Sequence, residues 1–202
     1  MSLIVSALIP TRKRVKRLIN TLASLRACCD DPDSMEILLR VDDDDLETIF
    51  HLPKLTDEFG VRVQVGPRNK GYDSMGEFIT ELSDLALAPW VFIIDDDATV
   101  EGCGFDRQLR KVSLTDHHVA TCEFYKLNQS VYRGALPVGM IVPNKCWNLY
   151  SIGIVYSPVD EFLRGLLVND HGWKVDLLPG LTYHHEWDED TMRRRKNHEN
   201  NP

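Results

Sequence analysis

The sequence predicts an α/β fold in which a mostly parallel sheet is flanked by helices on both faces. Along the first hundred residues, short apolar segments alternate with longer segments whose apolar residues recur at helical spacing. This alternation is typical of parallel sheets. Each apolar segment also runs into polar or charged residues, as expected where parallel strands deliver side chains to a ligand site. The 202 residues, 43% of them hydrophobic, suffice to bury one core of this kind.

The first strand and the first helix are predicted at the start of the chain. Residues 3–9 read as a buried strand, and Thr11 is a candidate N-cap for a helix with apolar residues at 15, 18, 19, 22 and 25. Arg12, Lys13 and Arg14 occupy the first turn, where positive charge opposes the helix dipole. Free N–H groups and cations beside a strand end would suit a phosphate, and a solvated basic turn fits the pattern equally well.

The second and third strands are predicted at 36–41 and 61–65. The second strand runs into four aspartates, of which Asp44 or Asp45 can cap the following helix. Asp42 and Asp43 then lie at the strand mouth, where an acidic side chain commonly holds a ribose or a base. The third strand is followed by the loop 66–71, in which Asn69 and Gly71 suit backbone with positive φ.

The fourth strand, at 90–94, is apolar and ends in Asp95, Asp96 and Asp97. Three adjacent carboxylates repel one another, and a divalent metal carrying a phosphorylated ligand would relieve that repulsion. The alternative, to which the triplet alone gives more weight, is a solvated acidic turn. In an extended segment Asp95 and Asp97 would point to one side and Asp96 to the other. The histidine pair His184 and His185 would divide in the same way.

The second half of the chain is less regular. A short helix is predicted near residues 105–112, strands at 118–125 and 137–142, and a loop or hairpin at 126–135. A helix beginning after Ser157 and a last strand at 173–178 follow.

Several function classes are disfavoured by composition and motifs. The net charge of −8 argues against a nucleic-acid partner. Neither a G-x-G-x-x-G dinucleotide fingerprint nor a P-loop is present. The five cysteines form no CxxC pair, and no apolar run approaches the length of an integral membrane segment. These features predict a cytoplasmic protein.

Taken in order, the motifs resemble those of the GT-A-fold glycosyltransferases, most closely the family 2 type. Residues 9–14 (IPTRKR) are similar to the family's I-P-T-x-N-R opening, and residues 37–43 (ILLRVDD) to its second strand. Residues 68–71 (RNKG) resemble its N-x-G loop, and residues 91–97 (VFIIDDD) the strand that leads to its D-x-D motif. Residues 172–175 (GWKV), Pro179 and 183–185 (YHH) resemble its C-terminal pattern.

The resemblance implies a metal-dependent, inverting transfer of a sugar from a UDP- or GDP-linked donor to an acceptor hydroxyl. It covers most of residues 3–187 and implies a GT-A type sheet, Rossmann-like and mixed. A single catalytic domain is expected over 1–187, with a nucleotide-binding half (1–100), an acceptor half (101–187) and a polar, mobile tail (188–202). The residues implied in binding the nucleotide and diphosphate are Pro10, Thr11, Arg12, Arg14, Asp42, Asn69, Lys70, Gly71, Asp95 and Asp96. Those implied in holding Mn²⁺ or Mg²⁺ are Asp97, with Asp95, His184 or His185.

The catalytic base is the point at which the chain departs from the family. The acidic pair usual in the helix after the acceptor segment is replaced by Ser157-Pro158, so the resemblance carries the base to Asp160, with Glu161 as the rival. Asp160 could also complete a capping box with Ser157. The alternative function is therefore a non-catalytic nucleotide-sugar-binding domain that lacks a base.

Overall fold

The structure is a computed structural model that describes residues 2–112, 117–127, 130–133, 139–144, 146 and 159–185, without the side chains of 72, 73 and 159–161. The strands are β1 Val5–Thr11, β2 Met35–Asp42, β3 Val61–Gly66, β4 Trp90–Ile93, β5 Ala98–Glu101, β6 His118–Leu127, β7 Ser130–Arg133, β8 Ile141–Pro143 and β9 Lys174–His185. The helices are α1 Val15–Cys28, α2 Leu46–Phe59, α3 Met75–Leu85, α4 Phe105–Leu109 and α5 Val159–Arg164. A π-helical stretch, Gly165–Asp170, continues α5.

The sheet is mixed, and its strand order is β3-β2-β1-β4-β8-β6-β9-β5, with β7 beside β6. β3, β2, β1 and β4 are parallel, which confirms the prediction for the first hundred residues. The second half departs from the mostly parallel pattern, because β8 is antiparallel to β4 and β6, and β5 is antiparallel to β9. In the described part of the predicted loop or hairpin at 126–135, β6 and β7 pair in antiparallel fashion, which confirms the hairpin alternative there.

Helices cover both faces of the sheet, as predicted. Successive residues of β1 enter different clusters: Ala7 and Ile9 pack with α1 and α2, whereas Leu8 packs with α3 and α5. This division follows from the two-residue period of a strand, and it explains why β1 is apolar on both faces. Among the described residues, no helix combines the length and apolar character needed to cross a membrane.

The two predicted helix caps have different outcomes. Asp45 is the N-cap of α2 and accepts a hydrogen bond of 3.2 Å from the Thr48 N–H, so the second of the two candidates is confirmed. The Thr11 prediction is wrong, because α1 begins at Val15 after Arg14, which makes no side-chain cap. Thr11 stays in β1, and its hydroxyl donates to Asp96 instead.

A buried carboxylate, Glu36, joins three elements at the end of the sheet away from the aspartates. It accepts hydrogen bonds from the Ser6 hydroxyl and from the backbone N–H groups of Leu87 and Ala88. The Arg62 guanidinium lies 2.6 Å from its second oxygen. Glu36 therefore ties β2 to β1, to β3 and to the segment that leads into β4.

We expect Glu36→Gln to lower the free energy of unfolding by about 2 to 4 kcal/mol. Glutamine removes the negative charge that faces Arg62, and its NH₂ group would face other hydrogen-bond donors. Urea unfolding at neutral pH measures the change. The exposed Glu58→Gln on α2 is the matched control, expected within about 0.5 kcal/mol of wild type. A Glu36→Gln variant as stable as this control would contradict the prediction.

Candidate active site

The candidate site lies where β1, β2 and β4 end and where the last strand, β9, also ends. Thr11 closes β1, Asp42 closes β2, and Asp95 to Asp97 follow β4 after Ile94. His185, the last residue of β9, meets the aspartates from the other half of the chain. Carboxyl ends of parallel strands share one edge of a sheet, which is why the sequence could place most of these residues together.

Asp96, in the aspartate triplet, is buried between β1 and α1. Its Oδ2 accepts a hydrogen bond of 2.8 Å from the Thr11 hydroxyl, and its Oδ1 lies 3.1 Å from Arg14 Nη1. The Thr21 hydroxyl donates to its backbone carbonyl over 3.1 Å. Burial raises the pKa of Asp96 to about 6, against the opposing effect of the Arg14 charge. These contacts fix the turn after β4 against β1 and α1.

Asp97 is surrounded by cationic side chains, and its own side chain is 2% exposed. Its Oδ2 lies 2.9 Å from Arg14 Nη1 and 3.3 Å from Arg17 Nη1, and its Oδ1 lies 3.0 Å from His185 Nε2. Burial acts to raise the pKa of Asp97, but the hydrogen bond to His185 and the arginine charges outweigh it and leave this pKa lowered. The carboxylate is therefore ionised.

Asp95 is the exposed member, with 56% of its side chain accessible. The Tyr183 hydroxyl donates to its Oδ2 over 3.1 Å, and His185 Nδ1 lies 3.8 Å from the same oxygen. Asp95 and Asp97 thus both reach His185, and Asp96 reaches Thr11. The extended segment assumed in the sequence analysis is not present, because Asp96 and Asp97 lie in a turn and both contact Arg14.

His185 is the histidine of the pair that reaches the aspartates. It is buried, whereas His184 lies half-buried on the other face of β9, in register with Thr99 of β5 and Lys126 of β6. Burial acts to lower the pKa of His185, but the carboxylates of Asp97 and Asp95 outweigh it and raise this pKa. The imidazole is therefore held between two carboxylates.

The fit of a divalent cation can be judged from the donor atoms present. Within the described part of the chain, no three His, Cys, Asp or Glu side chains are already gathered as a metal cluster. Asp97 Oδ1 and His185 Nε2 lie 3.0 Å apart as a hydrogen-bonded pair. Carboxylate oxygens are donors for both Mn²⁺ and Mg²⁺, and imidazole nitrogens are ligands of transition metals. The donor types present are therefore compatible with Mn²⁺.

Arg12 and two acidic side chains form a second charged group at the end of β2. Arg12 Nη1 lies 2.9 Å from the buried Asp42, and its guanidinium also pairs with the exposed Asp44, 2.9 Å from Nη2. The hydrogen bond with Asp44 is the main cause that raises the pKa of Arg12, and it lowers the pKa of Asp44. Arg12 therefore holds the carboxylates at this strand end.

The loop after β3 lies beside this group. The Asp43 N–H donates to the Gly66 carbonyl over 2.8 Å, which joins the end of β2 to the start of the loop. Asn69 and Gly71 have φ of 50° and 63°, as the residue types predict. The Lys70 N–H donates to the Ser74 hydroxyl oxygen over 3.2 Å, and the Asn69 amide faces Glu77 over 3.4 Å. Pro10, half-buried in β1, lies two strands from this loop.

The structure describes some predicted site residues only in part. The backbones of Asp160 and Glu161 lie in α5, but their side chains are outside the described residues, as is Ser157. Arg17 is a site contact that the sequence analysis missed. Arg17 lies in the first turn of α1, three residues after Arg14 at its N-cap, and both guanidinium groups reach Asp97. That spacing was the available signal.

Comparison with solved structures tests the fold that the sequence motifs suggest. Neither a protein-family profile nor a curated protein matches the chain. The crystal structure of S. aureus TarS 1–349 superposes with a TM-score of 0.66 at 15% identity, covering 91% of this chain and 60% of that one. Its complex with UDP-GlcNAc gives 0.68 at 13% identity, covering 93% and 59%. GalNAc-T7 with UDP, GalNAc and Mn²⁺ gives 0.70 at 13% identity, covering 94% and 45%. The fold is of the GT-A type.

The sequence identities to these GT-A structures are 13% to 15%, which establishes a shared fold and does not establish a shared activity. The chain spans about 60% of TarS 1–349 and 45% of GalNAc-T7, so both neighbours contain substantial structure beyond the shared part.

Proposed function

We propose that this GT-A domain is a metal-dependent glycosyltransferase that moves a sugar from a UDP- or GDP-linked donor to an acceptor hydroxyl with inversion. The observation that carries the proposal is the cluster at the ends of β4 and β9. Ionised Asp97 lies there between His185 and two arginines, at the edge of the sheet where α/β folds bind ligands. The UDP-containing complexes of TarS and GalNAc-T7 support the choice of donor class.

The chemistry requires that negative charge on the leaving diphosphate be stabilised. Asp97 and His185 would hold Mn²⁺, which supplies positive charge to the diphosphate when bound. The guanidinium groups of Arg14 and Arg17, 22% and 40% exposed, would add further positive charge at the same place. Thr11 and Thr21 hold Asp96, and so keep the turn that carries Asp97 in position.

The remaining roles are assigned from position. Asp42 and the loop 67–71 would bind the nucleoside. Asp42 ends β2 and the loop follows β3, and these two strands lie on the opposite side of β1 from β4, which carries Asp95 to Asp97. Asp160, on α5, would take the proton from the acceptor hydroxyl, with Glu161 as the rival base. One base is enough for a single displacement, in which the acceptor oxygen forms its bond to the anomeric carbon as the bond to the diphosphate breaks.

A thermal-shift screen tests the proposal directly. A ligand that binds only the folded state stabilises it by about 2.7 kcal/mol at a concentration a hundred times its Kd. We expect UDP or GDP with Mn²⁺ to raise the melting temperature more than either component alone. ATP with Mn²⁺ is the matched control. No shift with any nucleoside diphosphate, with or without Mn²⁺, would overturn the proposal.

A further inference from the structure

Arg40, on β2, carries a guanidinium group that is buried inside the nucleotide-binding half. Its side chain is 1% exposed, so the burial of a full charge has to be compensated by close polar partners. Nε donates to Glu81 Oε2 over 2.7 Å, and Nη1 donates to the Val41 and Gly66 carbonyls over 2.7 and 3.1 Å. Nη2 donates to the Pro67 carbonyl over 2.7 Å. The group therefore meets an acceptor on every nitrogen.

These partners belong to separate pieces of the candidate nucleoside site. Gly66 and Pro67 are the end of β3 and the start of the loop 67–71, and the centroid of the Phe78 ring on α3 lies 4.4 Å from Arg40 Cζ. Nη1 also lies 3.5 Å from Asp42 Oδ1. Arg40 thus connects the carboxylate that ends β2 to the loop that follows β3.

We propose that Arg40 is a positioning residue for the nucleoside part of the donor: it holds Asp42 and the loop 67–71 in one arrangement without touching the ligand. The proposal rests on the function proposed above. Arg40 contacts Asp42 and not Asp97, so loss of its contacts should affect only one part of the donor. Binding of the nucleoside weakens, and binding of the diphosphate is unchanged.

Gly66 provides a way to displace Arg40 without removing it. A Cβ added at Gly66 would lie 3.0 Å from Arg40 Nη2 and 3.2 Å from Cζ, so alanine would require the guanidinium to shift by a few tenths of an ångström away from its carbonyl partners. A Cβ added at Gly165 would meet no atom within 4 Å, so Gly165→Ala is the matched control. Arg40→Lys keeps a charge but loses the planar fork that reaches several carbonyls at once.

The test compares UDP with pyrophosphate, each with Mn²⁺, by calorimetry. We expect Gly66→Ala and Arg40→Lys to raise the Kd of UDP about tenfold, equivalent to about 1.4 kcal/mol, while the Kd of pyrophosphate changes less than about twofold. Gly165→Ala is expected to leave both constants unchanged. Equal weakening of UDP and pyrophosphate would overturn the inference, since general destabilisation has no preference for the nucleoside.

A double-mutant cycle tests whether Gly66→Ala acts through the arginine. In an Arg40→Met background, Gly66→Ala is expected to add no further loss of UDP affinity, because the group that it displaces is gone. Additive effects would overturn the assignment.

Hydrogen exchange without any nucleotide separates this inference from the proposed function. Backbone amides of residues 67–71 are expected to exchange faster in Gly66→Ala and Arg40→Lys than in Gly165→Ala. Unchanged exchange in both variants would overturn the role of Arg40 even where wild type binds UDP. Wild type that binds neither UDP nor GDP, with the expected change in exchange, would instead overturn the proposed function.

Discussion

Asp97→Asn is expected to lower kcat/KM for glycosyl transfer by at least about 100-fold, because electrostatic stabilisation of the leaving group usually contributes most to the acceleration of such reactions. Asparagine keeps the shape of the side chain but removes the charge that Arg14, Arg17 and His185 share. The pKa of Asp97 is lowered in the folded protein, so its ionised form stabilises the fold at neutral pH. The variant is therefore also expected to melt earlier, and transfer is measured well below its melting temperature.

The decisive measurement for Asp97 is the metal dependence of nucleotide binding. Removing the carboxylate leaves Arg14 and Arg17 in place, so some UDP or GDP affinity is expected to remain, but Mn²⁺ should no longer increase it. Asp84→Asn, an exposed change on α3, is the control for the loss of one charge. If Mn²⁺ strengthens nucleotide binding equally in Asp97→Asn and in wild type, Asp97 is not a metal ligand.

Replacement of the base is expected to have the second large effect. Asp160→Asn should lower kcat by about 100-fold or more while the Kd of the nucleotide stays near its wild-type value, because general-base catalysis acts on the acceptor and not on the donor. Single-turnover transfer measures the chemical step, with sugar donors linked to the nucleotide that raises the melting temperature most in the thermal-shift screen.

Glu161→Gln is the matched comparison, one residue along α5. A large loss in this variant with little loss in Asp160→Asn would move the base to Glu161. Donor binding without transfer in wild type, across a broad set of acceptors, would favour the non-catalytic alternative.

The first half of the fold could be predicted because its signals are local. Each strand from β1 to β4 is a short apolar run, and in each intervening helix the apolar residues recur at helical spacing. The alternation of strands and helices therefore predicts that these strands are parallel. The second half lacks such alternation. β9 pairs with β6 in parallel and with β5 in antiparallel fashion, and nothing within residues 174–185 specifies either partner.

For the site, too, local signals could be predicted and long-range contacts could not. The sequence placed Asp42, Asp95, Asp97 and the histidine pair at one edge, because strand ends converge there. It misplaced Thr11, whose hydroxyl could cap α1 locally but bonds instead to Asp96, 85 residues away. Arg40 looked like one more residue of a buried strand, and its role becomes visible only when Gly66 and Pro67 are brought against it.

The position of β9 also has a consequence for biosynthesis. His185 lies 88 residues after Asp97. At a translation rate of about 5 to 20 residues per second, His185 is therefore synthesised about 4 to 18 s after the aspartate triplet. Arg14 and Arg17 precede the triplet and are available at once. The two arginines can therefore act as early counter-ions that keep the nascent carboxylates neutralised until the last strand arrives.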